Sequence, residues 1–404
     1  MLSAIYTALS GMTAYEQGLN VIGNNVANLD TVGYKMTEPL FTSVAPDTES
    51  GAMLGSPGSQ SGGGGVALNE SRVSFAEGQD QSTGNPLDAA VNGLGFFTVQ
   101  DGNGGYLYTR AGQFQFDQNG NLVETSTGDK VVVSTATSSI GSFNVDSYRS
   151  YPPKATATVD LSGNLAGTGQ TTPYVLSNIT VVDSSGGTEN LKATFTQSTT
   201  NPRQWTVQVA DSNNNVLGNG SLTFNADGTP ASSNTPVTVT VTPPNLPSFN
   251  VDFDFGAAGS FSGVTSMGST SSSQLQVLSQ DGVQLGALTG TAFGSDGSIT
   301  LTYSNGQTLK PAKLVLAQFD APQQLQATSK GLYVANEGTL PTLGTPLSSN
   351  FGSILGGQVE MSNVDLSQQF TDLIVIERGY QASSEINSAA NTMLQQLLTM
   401  DSGR

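Results

Sequence analysis

The chain has 404 residues, of which 36% are hydrophobic and 11% charged, and its 13 Lys and Arg against 31 Asp and Glu give a net charge of −18. Repulsion between these carboxylates and phosphate groups excludes nucleic acid and anionic membrane surfaces as partners. The chain contains no Cys and no His, which excludes disulfides, zinc sites built on thiolate or imidazole, and Ser-His-Asp or Cys-His catalysis.

The N-terminus lacks the features of a cleaved export signal. Its first thirty residues contain no Lys or Arg and no unbroken apolar run, whereas a secretory signal peptide needs both a basic region and an apolar block. No segment approaches the roughly 18 apolar residues of a membrane-spanning helix. We therefore predict no membrane insertion and, if the protein leaves the cell, export that retains the N-terminus.

Residues 1–29 are predicted to form a helix with one narrow apolar face. Apolar residues recur there at steps of three and four, which places them on one side of a helix. Glycines at positions 11, 18 and 23 are predicted to soften this helix. The stripe consists of Leu2, Ile5, Leu9, Met12, Tyr15, Leu19, Ile22, Val26 and Leu29.

A second stripe of this kind runs through the C-terminal residues 366–404. Its members are Leu366, Phe370, Leu373, Ile376, Tyr380, Ile386, Ala390, Met393, Leu397 and Met400, with one interruption at Ser383. Two such stripes at opposite ends of a chain most simply pair with each other and with copies of themselves, which predicts a subunit that polymerises. The alternative is that each stripe is one side of an ordinary globular core.

Between the helices the sequence is rich in glycine and has the alternation of β-strands. Strand-like runs and hairpin turns predict an inner β-domain formed by residues 71–151 and 280–349. The Thr-, Ser- and Val-rich stretch 152–279 predicts a second β-domain, a sandwich or flattened barrel, inserted into the first. Prolines and glycines predict an extended connector over 30–70, with its return over 350–365.

The predicted fold class is therefore mainly β with α-helical termini. It comprises two nested β-domains, the inner one discontinuous and the outer one inserted, plus a coiled-coil-like terminal domain formed by residues 1–29 and 366–404.

Signals of chemistry in the chain are weak. The stretch from Asp117 resembles the start of a calcium loop, but Leu122 and Gly128 stand where Gly and Glu are required, so a tight hairpin turn is favoured. Asp252 and Asp254 share one strand face and could form the carboxylate pair of a glycoside hydrolase, although a solvated strand face is the favoured interpretation. We predict no enzyme activity and no catalytic, cofactor-binding or metal site.

Three groups of residues resemble the flagellar rod and hook axial proteins. The segment from Leu19 to Lys35 is similar to the N-terminal signature of this family, and the stretches 85–97 and 108–123 are similar to its first β-domain. The segment from Ser362 onward is similar to its C-terminal signature. The signature residues are Gly23, Asn24, Asn25, Ala27, Asn28, Thr31, Gly33, Tyr34, Lys35, Ser362, Asn363, Val364, Asp365, Leu366, Arg378, Tyr380 and Gln381.

The resemblance implies a structural subunit of a helical homopolymer. Terminal helices would line a tube around an export channel, and the inserted β-domain would lie at its outer surface. Such a tube bends while it transmits torque from motor and rod to filament, as a universal joint does. The total length and the inserted domain are similar to the hook branch of the family. The distal rod and hook-filament junction branches are alternatives, and a secreted glycan-active β-protein is a less favoured one.

The resemblance also implies partners and a location. The partners would be other copies of this chain, the distal rod protein, the hook cap protein, the hook-filament junction protein and the flagellar export apparatus. The location would be extracellular, in the hook of the bacterial flagellum. Cysteine-dependent cross-links between subunits are excluded because the chain has no cysteine.

Overall fold

The structure is a computed structural model that describes residues 2–44, 65–135, 139–167, 170–268, 272–336, 338–348 and 350–402. The predicted connector is therefore described only in part, and the side chains of Leu2 and Met400 lie outside the described residues.

The chain begins with helix α1 (Leu2–Ala27) and ends with helix α2 (Leu366–Ser402). The first strands are β1 (Thr37–Ser43), β2 (Val66–Val73), β3 (Asp80–Ser82), β4 (Ala89–Asn92), β5 (Phe96–Gln100), β6 (Tyr106–Thr109), β7 (Phe114–Phe116), β8 (Leu122–Glu124), β9 (Lys130–Thr135) and β10 (Ile140–Ser142). Next come β11 (Ser150–Tyr151), β12 (Thr158–Ala166), β13 (Tyr174–Val182), β14 (Thr188–Gln197), β15 (Gln204–Ala210), β16 (Val216–Thr223), β17 (Val237–Val241), β18 (Phe249–Asp254), β19 (Val264–Met267) and β20 (Gln274–Gln280). The last are β21 (Gly286–Phe293), β22 (Ile299–Tyr303), β23 (Thr308–Leu309), β24 (Ala312–Leu314), β25 (Leu316–Gln318), β26 (Gln326–Ala327), β27 (Leu332–Val334), β28 (Thr342–Gly344), β29 (Ser353–Gly356) and β30 (Gln358–Glu360). The predicted fold class, mainly β with a helix at each end, is confirmed.

The chain divides into two compact units. Unit 1 comprises Met1–Asp146, Thr291–Leu301 and Leu309–Arg404, and unit 2 comprises Ser147–Gly290 and Thr302–Thr308. Unit 2 thus interrupts unit 1 in sequence.

Unit 1 is built on an antiparallel sheet with the strand order β26-β27-β6-β5-β9-β8-β7. Strands β10 and β24 pair with β9, and β25 joins β5 to β28. One core cluster of this unit is aromatic: Phe96 makes edge contacts with Phe75, Phe319 and Tyr333 at ring separations of 5.2, 5.9 and 6.1 Å. Edge-to-face pairs of this kind add to the stabilisation from buried area.

Unit 2 contains two sheets that share one core. The first has the order β17-β18-β12-β19, and β20 also pairs with β12. The second is the meander β13-β14-β15-β16. Residues alternate between buried and exposed along β15 and β17, so each strand contributes one face to the core. Trp205, Phe195 and Phe253 lie fully buried in it.

The two ends of the inserted stretch in unit 2 are joined by Asp281. Its carboxylate accepts hydrogen bonds from the backbone N–H groups of Ala157 (2.7 Å) and Thr158 (2.9 Å) and from Nζ of Lys154 (2.9 Å). Burial raises the pKa of this carboxyl, but the hydrogen bonds outweigh burial and lower it to about 2. Asp281 therefore stabilises the folded state in its charged form.

We expect Asp281→Asn to lower the stability of unit 2 by about 1 kcal/mol at pH 7, because the pair is partly exposed and screened by solvent. The folded pKa lies below the unfolded one, so this stabilisation is complete above about pH 4 and is lost as the pH falls towards 2. Urea titrations followed by the fluorescence of Trp205 measure the difference. If the free energies of unfolding of Asp281→Asn and the parent chain differed by the same amount at pH 7 and at pH 2, the stabilising role of the charged Asp281 would be contradicted.

Candidate functional site

Helices α1 and α2 pack against each other in unit 1, and small residues allow their backbones to approach. A Cβ added at Gly11 would lie 2.8 Å from Oγ of Ser383, and one added at Gly379 would lie 2.5 Å from Cζ of Tyr15. Ser383, which interrupts the predicted stripe, therefore lies at the helix contact. Helix α1 is continuous through Gly11 and Gly18, and both glycines pack closely against neighbouring side chains. The sequence instead suggests that these glycines weaken the helix.

The predicted stripe residues divide into three groups by burial. Those that are buried are Ile22, Ile376 and Ala390. Those that are half-buried are Ile5, Met12, Tyr15, Leu19, Val26, Leu29, Leu373 and Tyr380. Those that are exposed are Leu9, Leu366, Phe370, Ile386, Met393 and Leu397. Pairing of the two helices within one chain thus leaves part of each stripe uncovered.

The uncovered part of α2 is a continuous apolar face. Val375, Ile386, Met393 and Leu397 follow one another at helical spacing and are 63%, 53%, 53% and 47% exposed. From Glu377 onward, the opposite face of the same helix is polar and carries Glu377, Gln381, Ser388 and Gln395. We refer to the first group as the α2 apolar face.

Several signature residues form a buried network at the end of α1. Asn25 is 1% exposed, and its amide nitrogen donates to the carbonyl of Thr37 and to Oε1 of Gln369, each at 2.8 Å. Its amide oxygen accepts from the backbone N–H of Thr37 at 3.0 Å and from the hydroxyl of Tyr34 at 3.1 Å. Burial raises the pKa of Tyr34. Asn25 thereby connects α1 to β1 and to α2.

Two signature residues organise the start of α2. Asn363 donates to the carbonyls of Ser74 and Ala76, both at 2.9 Å, and accepts from the N–H of Met36 at 2.7 Å. Asp365 accepts from the backbone N–H groups of the first turn at 2.8 and 3.2 Å, which is the N-cap arrangement. The C-terminal signature therefore fixes where α2 begins.

A buried ionic cluster lies beside this network and consists of Lys35, Arg110 and Glu360. The Nζ of Lys35 contacts Oε1 of Glu360, and Nη1 of Arg110 lies 3.2 Å from Oε2. All three side chains are at most 3% exposed. Arg110 also lies over the ring of Phe96, 5.2 Å from its centroid. Burial lowers the pKa of the Lys35 amine, and the neighbouring carboxylate opposes this effect.

Gly33 approaches the chain near Arg110 too closely for any side chain. Its φ is +71°, and an added Cβ would lie 2.4 Å from the backbone nitrogen of Ala111. Its N–H donates to the carbonyl of Glu360 at 2.7 Å. The glycine of the signature is therefore required by this contact.

The remaining signature residues differ in burial, and most of them are exposed on the protomer. Gly23, Asn24, Ala27, Thr31, Arg378 and Gln381 are exposed. Asn28 and Ser362 are half-buried, Val364 is buried, and Arg378 contacts Gln381 at 3.3 Å. A Cβ added at Gly23 would meet no atom within 4 Å.

Sequence reasoning does not single out Glu360 or Gln369, which complete the two networks. One signal for the ionic cluster is present in the sequence. Lys35 is the only basic residue before Arg72, and Glu360 is the only acidic residue between Glu337 and Asp365. A lone residue of one charge sign in a long stretch of sequence is a candidate for buried pairing with an opposite charge.

The stretches considered for chemistry have structural roles. Asp117 accepts hydrogen bonds from the backbone N–H groups of Asn119 (2.8 Å) and Asn121 (2.7 Å), so its carboxylate closes a hairpin turn. Asp252 and Asp254 lie on the solvent side of β18 and bond to Thr238 and Gly256. Among the described residues no group of three or more Asp and Glu side chains could hold a metal ion. No helix in the described ranges has the length and apolarity that crossing a membrane requires.

Comparison with known proteins finds four family profiles along the chain. They are "Flagella basal body rod protein" over 5–35, "Flagellar hook protein FlgE/F/G D1 domain" over 90–165, "Flagellar basal body protein FlaE D2 domain" over 168–283 and "Flagellar basal body rod FlgEFG protein C-terminal" over 355–400.

Similar proteins match over almost their whole length. The chain is 28% identical to the flagellar hook proteins of Escherichia coli, Salmonella typhimurium and Borreliella burgdorferi. The alignments cover 98%, 97% and 99% of this chain and 100%, 98% and 100% of those proteins. A crystal structure of the Helicobacter pylori flagellar hook protein FlgE2 matches with a TM-score of 0.49 at 14% identity, covering 68% of this chain and 98% of that one.

Proposed function

Because this chain belongs to the family of flagellar hook and rod proteins, we propose that it is the structural subunit of the bacterial flagellar hook. Copies of the chain polymerise into a curved tube, and this tube transmits torque from motor and rod to filament as a flexible joint. Near-complete alignment with hook proteins, including the inserted region, favours the hook over the rod and junction branches.

The observation that carries the proposal is the α2 apolar face. Helix α1 already occupies one side of α2, yet Ile386, Met393 and Leu397 remain about half exposed. Large apolar side chains that are aligned along a helix and open to water favour contact with another helix. A second copy of the chain supplies such a helix, and its exposed Leu9 and Phe370 offer matching apolar surface.

The proposed arrangement assigns a place in the tube to each predicted domain. The terminal helical domain lines the channel, the connector joins it to the inner β-domain, and the inserted β-domain lies outermost. In chain order these parts are 1–29, 30–70, 71–151, 152–279, 280–349, 350–365 and 366–404.

The proposed partners are other copies of this chain, the distal rod protein, the hook cap protein, the hook-filament junction protein and the flagellar export apparatus. The proposed location is extracellular, after export that does not remove the N-terminus. The protein has no enzymatic role in this proposal, since its buried charged groups serve packing and connection.

Electron microscopy of the purified chain tests the proposal, and truncation supplies the control. We expect the full chain to give curved tubes of uniform diameter. Removal of residues 1–28 and 366–404 should give a folded monomer, because the core clusters of unit 2 and of the aromatic part of unit 1 contain no residue of α1 or α2. Size-exclusion chromatography and circular dichroism measure both properties. Discrete particles from the full chain, or an unfolded truncated product, would contradict the proposal.

A further inference from the structure

The ionic cluster stands where the chain passes between its helical ends and its β-sheets. The first crossing is the segment from α1 to β1, the outgoing segment, which contains Lys35. The second is the segment from β30 to α2, which begins at Glu360, the last residue of β30. One carboxylate oxygen of Glu360 accepts from Lys35 and from the N–H of Gly78 (2.8 Å), and its carbonyl accepts from the N–H of Gly33 (2.7 Å). A single residue thus holds both crossings of the chain.

The contacts of this cluster depend on one another. Two cations share one carboxylate, and all three side chains are almost completely buried. If Lys35 were removed, Arg110 would still compensate the charge of Glu360, but Oε1 of Glu360 and the carbonyl of Ala76 would each lose a donor. A buried acceptor that loses its donor destabilises the folded arrangement, so these contacts tend to be made together or lost together. The outgoing segment carries two further bonds, from the N–H of Met36 to Asn363 and from the N–H of Thr37 to Asn25.

We propose that Glu360 is a positioning residue for assembly, whose ionic cluster holds the two chain crossings as one rigid joint that opens only as a unit. While the joint is closed, both helices leave the β-sheets in fixed directions, and the α2 apolar face is presented to a second copy in one orientation. The link to assembly rests on the proposed function, whereas the joint itself rests on the contacts alone.

Hydrogen exchange in the full-length Lys35→Met variant tests the joint. This change removes Nζ but leaves in place the acceptors of the backbone amides at Gly33, Met36, Thr37 and Gly78. If the joint opens as a unit, all four amides exchange faster by a common factor of roughly tenfold to a hundredfold. Mass spectrometry with fragmentation resolves the individual amides.

One variant serves as a control. Lys313→Met makes the same chemical change in unit 1 at a half-exposed pair with Asp296, and it should leave the four amides unchanged. The critical concentration for polymerisation should rise tenfold or more in Lys35→Met and should be unchanged in Lys313→Met.

Each outcome decides the proposal. Faster exchange at Gly78 alone, or unequal factors among the four amides, would mean that the contacts break separately and would overturn the joint. Loss of protection throughout β5 and β6 would overturn it as well, because the cluster would then maintain unit 1 as a whole. A wild-type chain that never polymerises would instead refute the proposed function and leave the exchange result standing.

Discussion

Replacing Gly33 with alanine is expected to destabilise unit 1 by roughly 2–4 kcal/mol while leaving unit 2 unchanged. The left-handed backbone at φ +71° disfavours any residue with a Cβ, and the added carbon would lie 2.4 Å from the nitrogen of Ala111. Backbone atoms cannot move aside as a flexible side chain can. The Gly33 segment would therefore shift, and its hydrogen bond to the carbonyl of Glu360 would be strained.

Two spectroscopic signals separate the effects on the two units. The single tryptophan, Trp205, lies in the core of unit 2, so its fluorescence reports that unit alone. Far-UV circular dichroism reports both units. In urea titrations, Gly33→Ala should lower the midpoint urea concentration of the transition followed by circular dichroism. The midpoint of the transition followed by Trp205 fluorescence should stay unchanged.

Gly23→Ala is the matched control for this prediction. Gly23 is exposed within α1 and has no atom within 4 Å of an added Cβ, so alanine there should stabilise the helix by up to about 1 kcal/mol. Equal effects of the two substitutions would refute the assignment of Gly33 to a close backbone contact.

Leu397→Asp is expected to prevent assembly at ordinary concentrations without changing the stability of the protomer. Leu397 is 47% exposed, so a charge there is tolerated in the free chain, usually within about 0.5 kcal/mol. In a helix contact between copies, the same carboxylate would be buried without a partner at a cost of about 3 kcal/mol. That free energy corresponds to roughly a hundredfold rise in critical concentration.

Gln395→Asp introduces the same charge two positions earlier, on the opposite, polar face of α2. Sedimentation of polymer against concentration compares the two variants with the parent chain. We expect Gln395→Asp to polymerise as the parent chain does. Normal tubes from Leu397→Asp would mean that this residue faces water in the polymer, and the α2 apolar face would then have to be abandoned as a contact.

Periodicity predicted the two helices but not the details of their contact. The apolar spacing marks large residues, and it correctly indicates helices close to the observed Leu2–Ala27 and Leu366–Ser402. The helices also approach closely where Gly11 faces Ser383 and where Gly379 faces Tyr15. A hydrophobic pattern treats Gly11 as a weak point and Ser383 as an interruption. Small residues carry little hydrophobic signal, although they determine how near two backbones can lie.

Local turn chemistry was predictable, and the long-range polar networks were not. An Asp followed by Asn and Gly is enough to indicate the hairpin at Asp117, because its hydrogen bonds lie within four residues. Lys35 and Glu360 are 325 residues apart in the sequence. No local pattern joins such a pair, and only the fold brings the two side chains together.

The distance in sequence between Lys35 and Glu360 has an evolutionary consequence. A recombination event that replaced only one end of the gene would combine a cation and a carboxylate that had been selected with different neighbours. We therefore expect the two ends of the chain to be inherited as a pair. Asp281 and Lys154, by contrast, both belong to unit 2, so an exchange of that unit carries its own closing contacts with it. We expect the middle of the gene to diversify by replacement more readily than its two ends, which should change together.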